Sequence, residues 1–146
     1  MAVEFTGWNK LIALVDPERA KRRMRQQSRK RLQEIGKIAV GVVVRDIAAK
    51  KYAPNAASTI KRKGFNWPVV ETGALMKAIT SWTPTHKTCL VGVRVSHPRA
   101  KIAEWVHQGT NRAPARPFLV QALADPIITK LVEKKALAVL AKVIEP

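Results

Sequence analysis

The chain has 146 residues, 47% of them hydrophobic, enough to bury the core of one domain and too many for disorder throughout. Its 27 Lys and Arg against 10 Asp and Glu leave a formal charge of +17, so an anionic partner is expected: nucleic acid, an acidic protein face or a membrane surface. A single cysteine, Cys89, excludes an internal disulfide, and no apolar run reaches membrane-spanning length.

The first residues lack the order of a signal peptide, so a soluble protein made in a cytoplasm is expected. Phe5, Trp8, Leu11, Ile12 and Val15 recur at helical spacing and predict a short helix within residues 2–15. Asp16-Pro17-Glu18 is a helix start, with Asp16 as N-cap, Pro17 at the first helical position and Glu18 near the positive end of the dipole. This helix is predicted to run to about Lys51. Its first half carries Arg19, Lys21, Arg22, Arg23, Arg25, Arg29, Lys30 and Arg31, with no acidic residue among them. Its second half places Leu32, Ile35, Ala39, Val42, Val43 and Ile47 on a broad apolar stripe. Gly36 and Gly41 each lower helix stability by roughly 1 kcal/mol relative to Ala, which predicts a bend or a close contact there.

Residues 52–68 mix Pro, Asn, Gly and aromatic residues and read as an exposed excursion with one helical turn around Ser58 to Lys63. A short helix follows, with Thr72 as expected N-cap and Leu75, Met76 and Ile79 on its buried side. Residues 80–83 and 88–96 alternate as paired strands, joined by a hairpin through Pro84 to Lys87. Arg99 to His107 predicts another helix, stopped by Gly109 in a left-handed C-cap conformation. Pro114 and Pro117 then fix φ on either side of Arg116, so this loop is expected to stand stiff at a surface and present Arg116 and Phe118 for docking. The alternative is a plain helix connection with Phe118 in the core. Residues 117–124 form a helix in either case. Asp125-Pro126 repeats the cap chemistry of Asp16-Pro17 and launches a terminal helix whose Ile127, Ile128, Leu131, Val132, Leu137, Leu140 and Ile144 could cover the sheet or a neighbouring subunit. The fold class is α+β, a small antiparallel sheet packed with several helices. It is expected as one domain with an N-terminal helical arm (1–51), a core (52–125) and a C-terminal helix (126–146).

Catalytic and metal chemistry find little support. His86 falls in the hairpin, His97 precedes a proline, and His107 has only Glu104 at the three-residue spacing, without a second matching pair. Cys89 on a valine-rich strand reads as a small hydrophobe, and the seven glycines form no phosphate-binding fingerprint. Neither an enzyme nor a bound cofactor or metal is expected. Of the remaining signals the strongest is the basic run, since eight like charges on about four turns repel one another at spacings of four. A wholly solvated face is therefore the weaker reading, and contact with phosphates or an acidic surface the stronger. Nothing supplies base readout, so contact with nucleic acid would be sequence-blind.

Several pieces then occur in a fixed order: Ser58-Thr59-Ile60-Lys61-Arg62-Lys63-Gly64; Glu71-Thr72-Gly73-Ala74-Leu75 with Ala78-Ile79-Thr80; Val91-Gly92-Val93; Ala103 to Gly109; and Pro114-Ala115-Arg116-Pro117-Phe118-Leu119. Together they resemble the virion-morphogenesis and tail-completion proteins, the small neck proteins of tailed bacteriophages and prophages. The resemblance covers roughly residues 52–125, and residues 1–50 carry no such motif. It implies a non-enzymatic virion protein of the head–tail junction, assembled in the bacterial host cytoplasm. There it would form a homo-oligomeric ring, a hexamer in preference to a dodecamer, that joins the portal or its adaptor to the tail tube while double-stranded DNA passes. Trp105, His107, Arg116, Pro117 and Phe118 are then the expected subunit or partner contacts, and the eight bases from Arg19 to Arg31 the expected contacts with DNA or an acidic partner. The rival reading is a basic, sequence-blind nucleic-acid-binding accessory protein, which leaves the Pro114 to Leu119 turn unexplained. A small hydrolase is a distant third.

Overall fold

A computed structural model describes residues 16–144, and the helix expected within residues 2–15 lies outside them. The described chain is mainly helical with one small sheet, as the α+β expectation required. Its elements are α1 (Pro17–Ala48), α2 (Ala57–Lys63), α3 (Ala74–Ala78), β1 (Thr80–Trp82), β2 (Leu90–Gly92), α4 (Ala100–Gln108), α5 (Phe118–Leu123) and α6 (Pro126–Ile144).

Helix α1 is the axis of the molecule, contacting α5, α6 and both strands. The Asp16 carboxylate accepts from the backbone N–H of Glu18 at 3.0 Å and of Arg19 at 3.4 Å, with Pro17 at the first position, so the helix starts as its sequence prescribes. It ends three residues short of Lys51, where Lys50 takes a positive φ of 56° and the Ala49 N–H closes the last turn on the Arg45 carbonyl. Ile35, Ala39, Val42, Val43 and Ile47 are buried along one face, and Val43 and Ile47 are wholly shielded. Against Ala39, Val42, Val43 and Ile47 pack Phe118 and Ala122 of α5, Ile128 of α6, and Tyr52, Val69, Val70, Leu75 and Ile79. Burying a side chain of this size contributes about 1.5–3 kcal/mol, so this stripe is what holds α1 to the body.

The two helix glycines do different things. At Gly36 an added Cβ would lie 2.6 Å from the Cys89 Sγ and 2.8 Å from the Ser81 Cβ, so the absent side chain is what lets the hairpin sit against α1. At Gly41 nothing lies within 4 Å.

The sheet is smaller than the alternation predicts. Thr80, Ser81 and Trp82 pair antiparallel with Gly92, Val91 and Leu90, and the pairing stops there. On this register the residues opposite Val93, Arg94 and Val95 would be Ile79, Ala78 and Lys77, which belong to α3 and its C-cap, so Val93 to Val95 have no strand partner; the chain then folds back, with the His97 N–H donating to the Arg94 carbonyl at 2.8 Å. Val95 is consequently 95% exposed. A second correction concerns α3. Its N-cap position is Gly73, at φ 75°, and Thr72 sits one residue earlier, its hydroxyl accepting from the Ala74 N–H at 3.4 Å. Only a left-handed residue turns the chain this sharply into the helix, which is why glycine takes the place expected for threonine. Buried Val69 also has a positive φ, 68°, an uncommon strain for a β-branched residue.

Helix α6 packs along α1 rather than over the sheet. The Asp125 carboxylate accepts from the Ile127 N–H at 2.9 Å, repeating the Asp16 cap. Ile128 and Val139 are buried, whereas Ile127, Val132 and Leu137 are exposed.

The glycine pair yields a matched prediction. Gly36→Ala should destabilise the fold despite its better helix propensity, because Cys89 and Ser81 must move. Gly41→Ala should stabilise it by about 0.5–1 kcal/mol. Urea denaturation of both variants checks this, and stabilisation by Gly36→Ala would contradict the close approach.

Candidate functional site

The proline loop was expected to present Arg116 and Phe118 to a partner, and the structure turns both inward. Phe118 is fully buried, and Arg116 is only 8% exposed. The Arg116 Nε donates to the Ala53 carbonyl at 2.8 Å, and its Nη2 donates to the Pro54 carbonyl at 2.8 Å and to the Asn55 Oδ1 at 3.4 Å. Its backbone N–H reaches the Val106 carbonyl at 2.9 Å. Burial pushes the guanidinium pKa below its ordinary value, as desolvation of a cation must. Phe118 meets the His107 ring edge-on at 5.5 Å, and its carbonyl accepts from the Tyr52 hydroxyl at 3.3 Å. Burial and then the Asp46 carboxylate push that hydroxyl up to about 12. Gly109 stops α4 as expected, but at φ 80° and ψ 175° rather than in the left-handed helical conformation, and it leaves no room for a side chain, since a Cβ would lie 2.6 Å from the Ala115 nitrogen. Proline rigidity here locks a core side chain rather than a surface anchor. Of the five expected contacts, Trp105 is exposed, at 56%, while His107 and Pro117 are half-buried.

The basic half of α1 stands out from the body. From Asp16 to Gln26 every residue except Ala20 is exposed, including Met24. Lys21 pairs with Glu18 at 2.8 Å on the open surface. Arg31 differs from the other seven: it is partly buried and pairs with Glu34 at 3.0 Å. Arg19, Arg22, Arg23, Arg25, Arg29 and Lys30 are exposed and form no ion pair among the described residues.

Arg22, Arg25, Arg29, Gln33 and Lys37 follow one another at spacings of three and four, and so share one face of α1. Its inner end enters a cleft of about 590 Å³ between α1 and the hairpin, lined by Arg29, Gln33, Lys37, Ser81, Trp82 and Arg94 among others. The Arg94 guanidinium lies over the Trp82 ring, 5.3 Å from its centroid. Lys37 is visible to sequence reasoning as an extension of the basic run by helical spacing. The approach of Trp82 and Arg94 has no local signal, because the contact at Gly36 creates it.

Two further candidate groups, His97 and Cys89, have local structural roles. His97 Nδ1 accepts from the Arg99 N–H at 3.1 Å, and burial raises the Cys89 thiol pKa, away from nucleophilic character. No group of three or more metal-ligating side chains occurs among the described residues. No helix among them is long and apolar enough to cross a membrane. No family model, curated protein or solved structure matches the chain.

Two ionic junctions fasten α6 to α1. Glu34 Oε2 accepts from Lys135 Nζ at 2.7 Å while Arg31 holds the same carboxylate, and these two hydrogen bonds lower the Glu34 pKa from 4.5 to about 2. At the other end Arg45 bridges Asp46 at 2.9 Å and Asp125 at 2.7 Å, while Lys51 reaches Asp46 at 2.8 Å. Burial opposes ionisation of Asp46, but the hydrogen bonds from Lys51 and Arg45 outweigh it and keep the pKa low.

A carboxylate whose pKa is lower in the folded than in the unfolded state stabilises the fold above the unfolded value. That stabilisation is lost as pH falls towards the folded value. The Glu34 contribution should therefore be complete above pH 4.5 and disappear between 4.5 and about 2. Glu34→Gln should be less stable than the parent at pH 7 and lose less on acidification through that window. Thermal melts followed by circular dichroism from pH 7 to pH 2 measure it, and parallel curves would remove the junction from the account.

Proposed function

We propose that this chain is a structural protein of the tailed-phage head–tail junction, a ring-forming neck subunit joining the portal or its adaptor to the tail tube and leaving a passage for DNA. Most of the ordered motifs shared with the tail-completion proteins fall on residues that make the fold: Leu75 and Ile79 in the core, the closed turn at Gly109, and the Arg116–Phe118 lock.

The observation that carries the assembly reading is the apolar surface left uncovered on separate elements. Val95 after β2, Trp105 on α4 and Val120 on α5 are 95%, 56% and 62% exposed, and Leu137 on α6 is 67% exposed. Exposed large hydrophobic side chains on separate elements offer contact points, and unlike contact points on one chain suit a head-to-tail arrangement that closes into a ring. The projecting basic half of α1 suits an acidic neighbour in such a ring or the DNA passing through it. The same projecting helix favours the second reading, a sequence-blind nucleic-acid-binding accessory protein acting as a monomer or dimer.

Electron microscopy and native mass spectrometry of the purified protein, with antibody labelling of virions, separate the two. A closed ring of six, or twelve, with label at the head–tail junction is the expected result. A monomer or dimer that is absent from virions overturns the neck reading. Val95→Asp and Leu137→Asp should abolish ring formation while changing unfolding free energy by less than about 0.5 kcal/mol, since both side chains are exposed.

A further inference from the structure

We infer that the cleft between α1 and the hairpin is a nucleic-acid backbone site, in which Arg29, Lys37 and Arg94 hold phosphodiester groups delivered along the Arg22–Arg25–Arg29 face. The inference concerns residues outside the proline loop and stands whether or not the chain forms a ring.

Three observations carry it. First, the cations are aligned. Arg22, Arg25, Arg29 and Lys37 occupy one exposed face over about 22 Å of helix, the axial rise of roughly six phosphates on one strand of duplex DNA. Second, these four bases are uncompensated among the described residues, and no carboxylate lines the cleft. Gln33 and Ser81 add neutral hydrogen-bonding groups between the charges. Third, Arg94 is pre-positioned. Its guanidinium lies over the Trp82 ring, 5.3 Å from the centroid, and Arg94 lines the cleft, so a planar group of donors of the kind that suits a phosphate stands at its wall.

The occupant that these features favour is nucleic acid rather than an acidic protein segment. A protein contact of any strength needs an apolar or aromatic anchor seated in a pocket. Here Arg94 already lies over the one aromatic ring of the cleft, and apart from Pro84 the rest of the lining is charged or polar: Arg29, Lys37, Gln33, Ser81 and Thr83. No side chain is placed to read base edges, so binding should depend on phosphate count and salt and hardly at all on sequence. Trp82 acts as a positioning residue, through Arg94.

The test uses the full-length protein and a fluorescein-labelled 30-base-pair duplex, with anisotropy read across a salt series. Lys37→Gln with Arg94→Gln should reduce the slope of log affinity against log salt by about two, one for each phosphate contact removed. Lys130→Gln with Lys134→Gln removes the same charge from the exposed side of α6 and should leave the slope nearly unchanged. Trp82→Leu should weaken binding in the direction of Arg94→Gln, and the two together should do no more than Arg94→Gln alone. If Trp82→Leu does not fold, the surface variants still decide. A duplex of different sequence should bind equally, and a single strand of equal phosphate number should bind with a comparable salt slope. Four results would overturn the inference: no binding by the parent protein, equal losses in cleft and control variants, strong preference for one sequence, or displacement of the duplex by poly-glutamate at matched charge concentration.

Discussion

The fold turns on a buried positive charge that has no carboxylate beside it. Arg116 is held by the carbonyls of Ala53 and Pro54 and the side-chain oxygen of Asn55, all from the stretch that follows α1. Removing a guanidinium from water costs several kcal/mol unless its donors are satisfied, and carbonyl oxygens satisfy them without adding a second buried charge. Lysine could not reproduce it, since its single ammonium cannot reach divergent acceptors as a planar group does. Once Arg116 is seated, Phe118 falls two residues on, between Tyr52, His107 and the α1 stripe, and α5 begins there.

The acidic residues complement this arrangement from the other side. Glu34, Asp46 and Asp125 are engaged in junctions between or at the ends of helices, Glu18 and Glu71 pair with Lys21 and Arg62, and Asp16 caps α1. Most of the few negative charges are therefore tied up in holding the structure together. The surface seen by an approaching partner is more one-sided than the composition indicates, and the exposed half of α1 is where that imbalance is concentrated.

Local chemistry was legible wherever it acts over one or two turns. Asp16-Pro17 and Asp125-Pro126 start helices because a carboxylate followed by proline satisfies the first donors irrespective of tertiary context. The Ile35 to Ile47 stripe is buried because its period suits a single helix face. Gly109 closes α4, as a glycine after a helix should, although the close approach of Ala115 is a second reason that spacing does not reveal. What escaped was direction and termination. Two prolines made the loop stiff, but whether Arg116 pointed out or in depended on carbonyls some sixty residues earlier. The valine alternation continued past Gly92, but β1 had no more residues to pair with it. Val69 takes a positive φ with no turn residue to announce it, and the cleft at Trp82 and Arg94 exists only because α1 and the hairpin touch.

The junction of Arg45 with Asp125 joins residues eighty positions apart, and that separation has a consequence for biosynthesis. Helix α1 is the first described element to leave the ribosome, yet its apolar stripe is covered by Phe118, Ala122 and Ile128, which are made last. At about 5–20 residues per second the stripe waits on the order of 4–16 s for its partners. During that interval Val42, Val43 and Ile47 have Tyr52, Val69, Val70, Leu75, Ile79 and then Ala103 to turn to, a partial core without its central ring. The charged first half of α1 emerges ahead of this exposed segment, and its like charge opposes association of one such chain with another before α5 and α6 arrive.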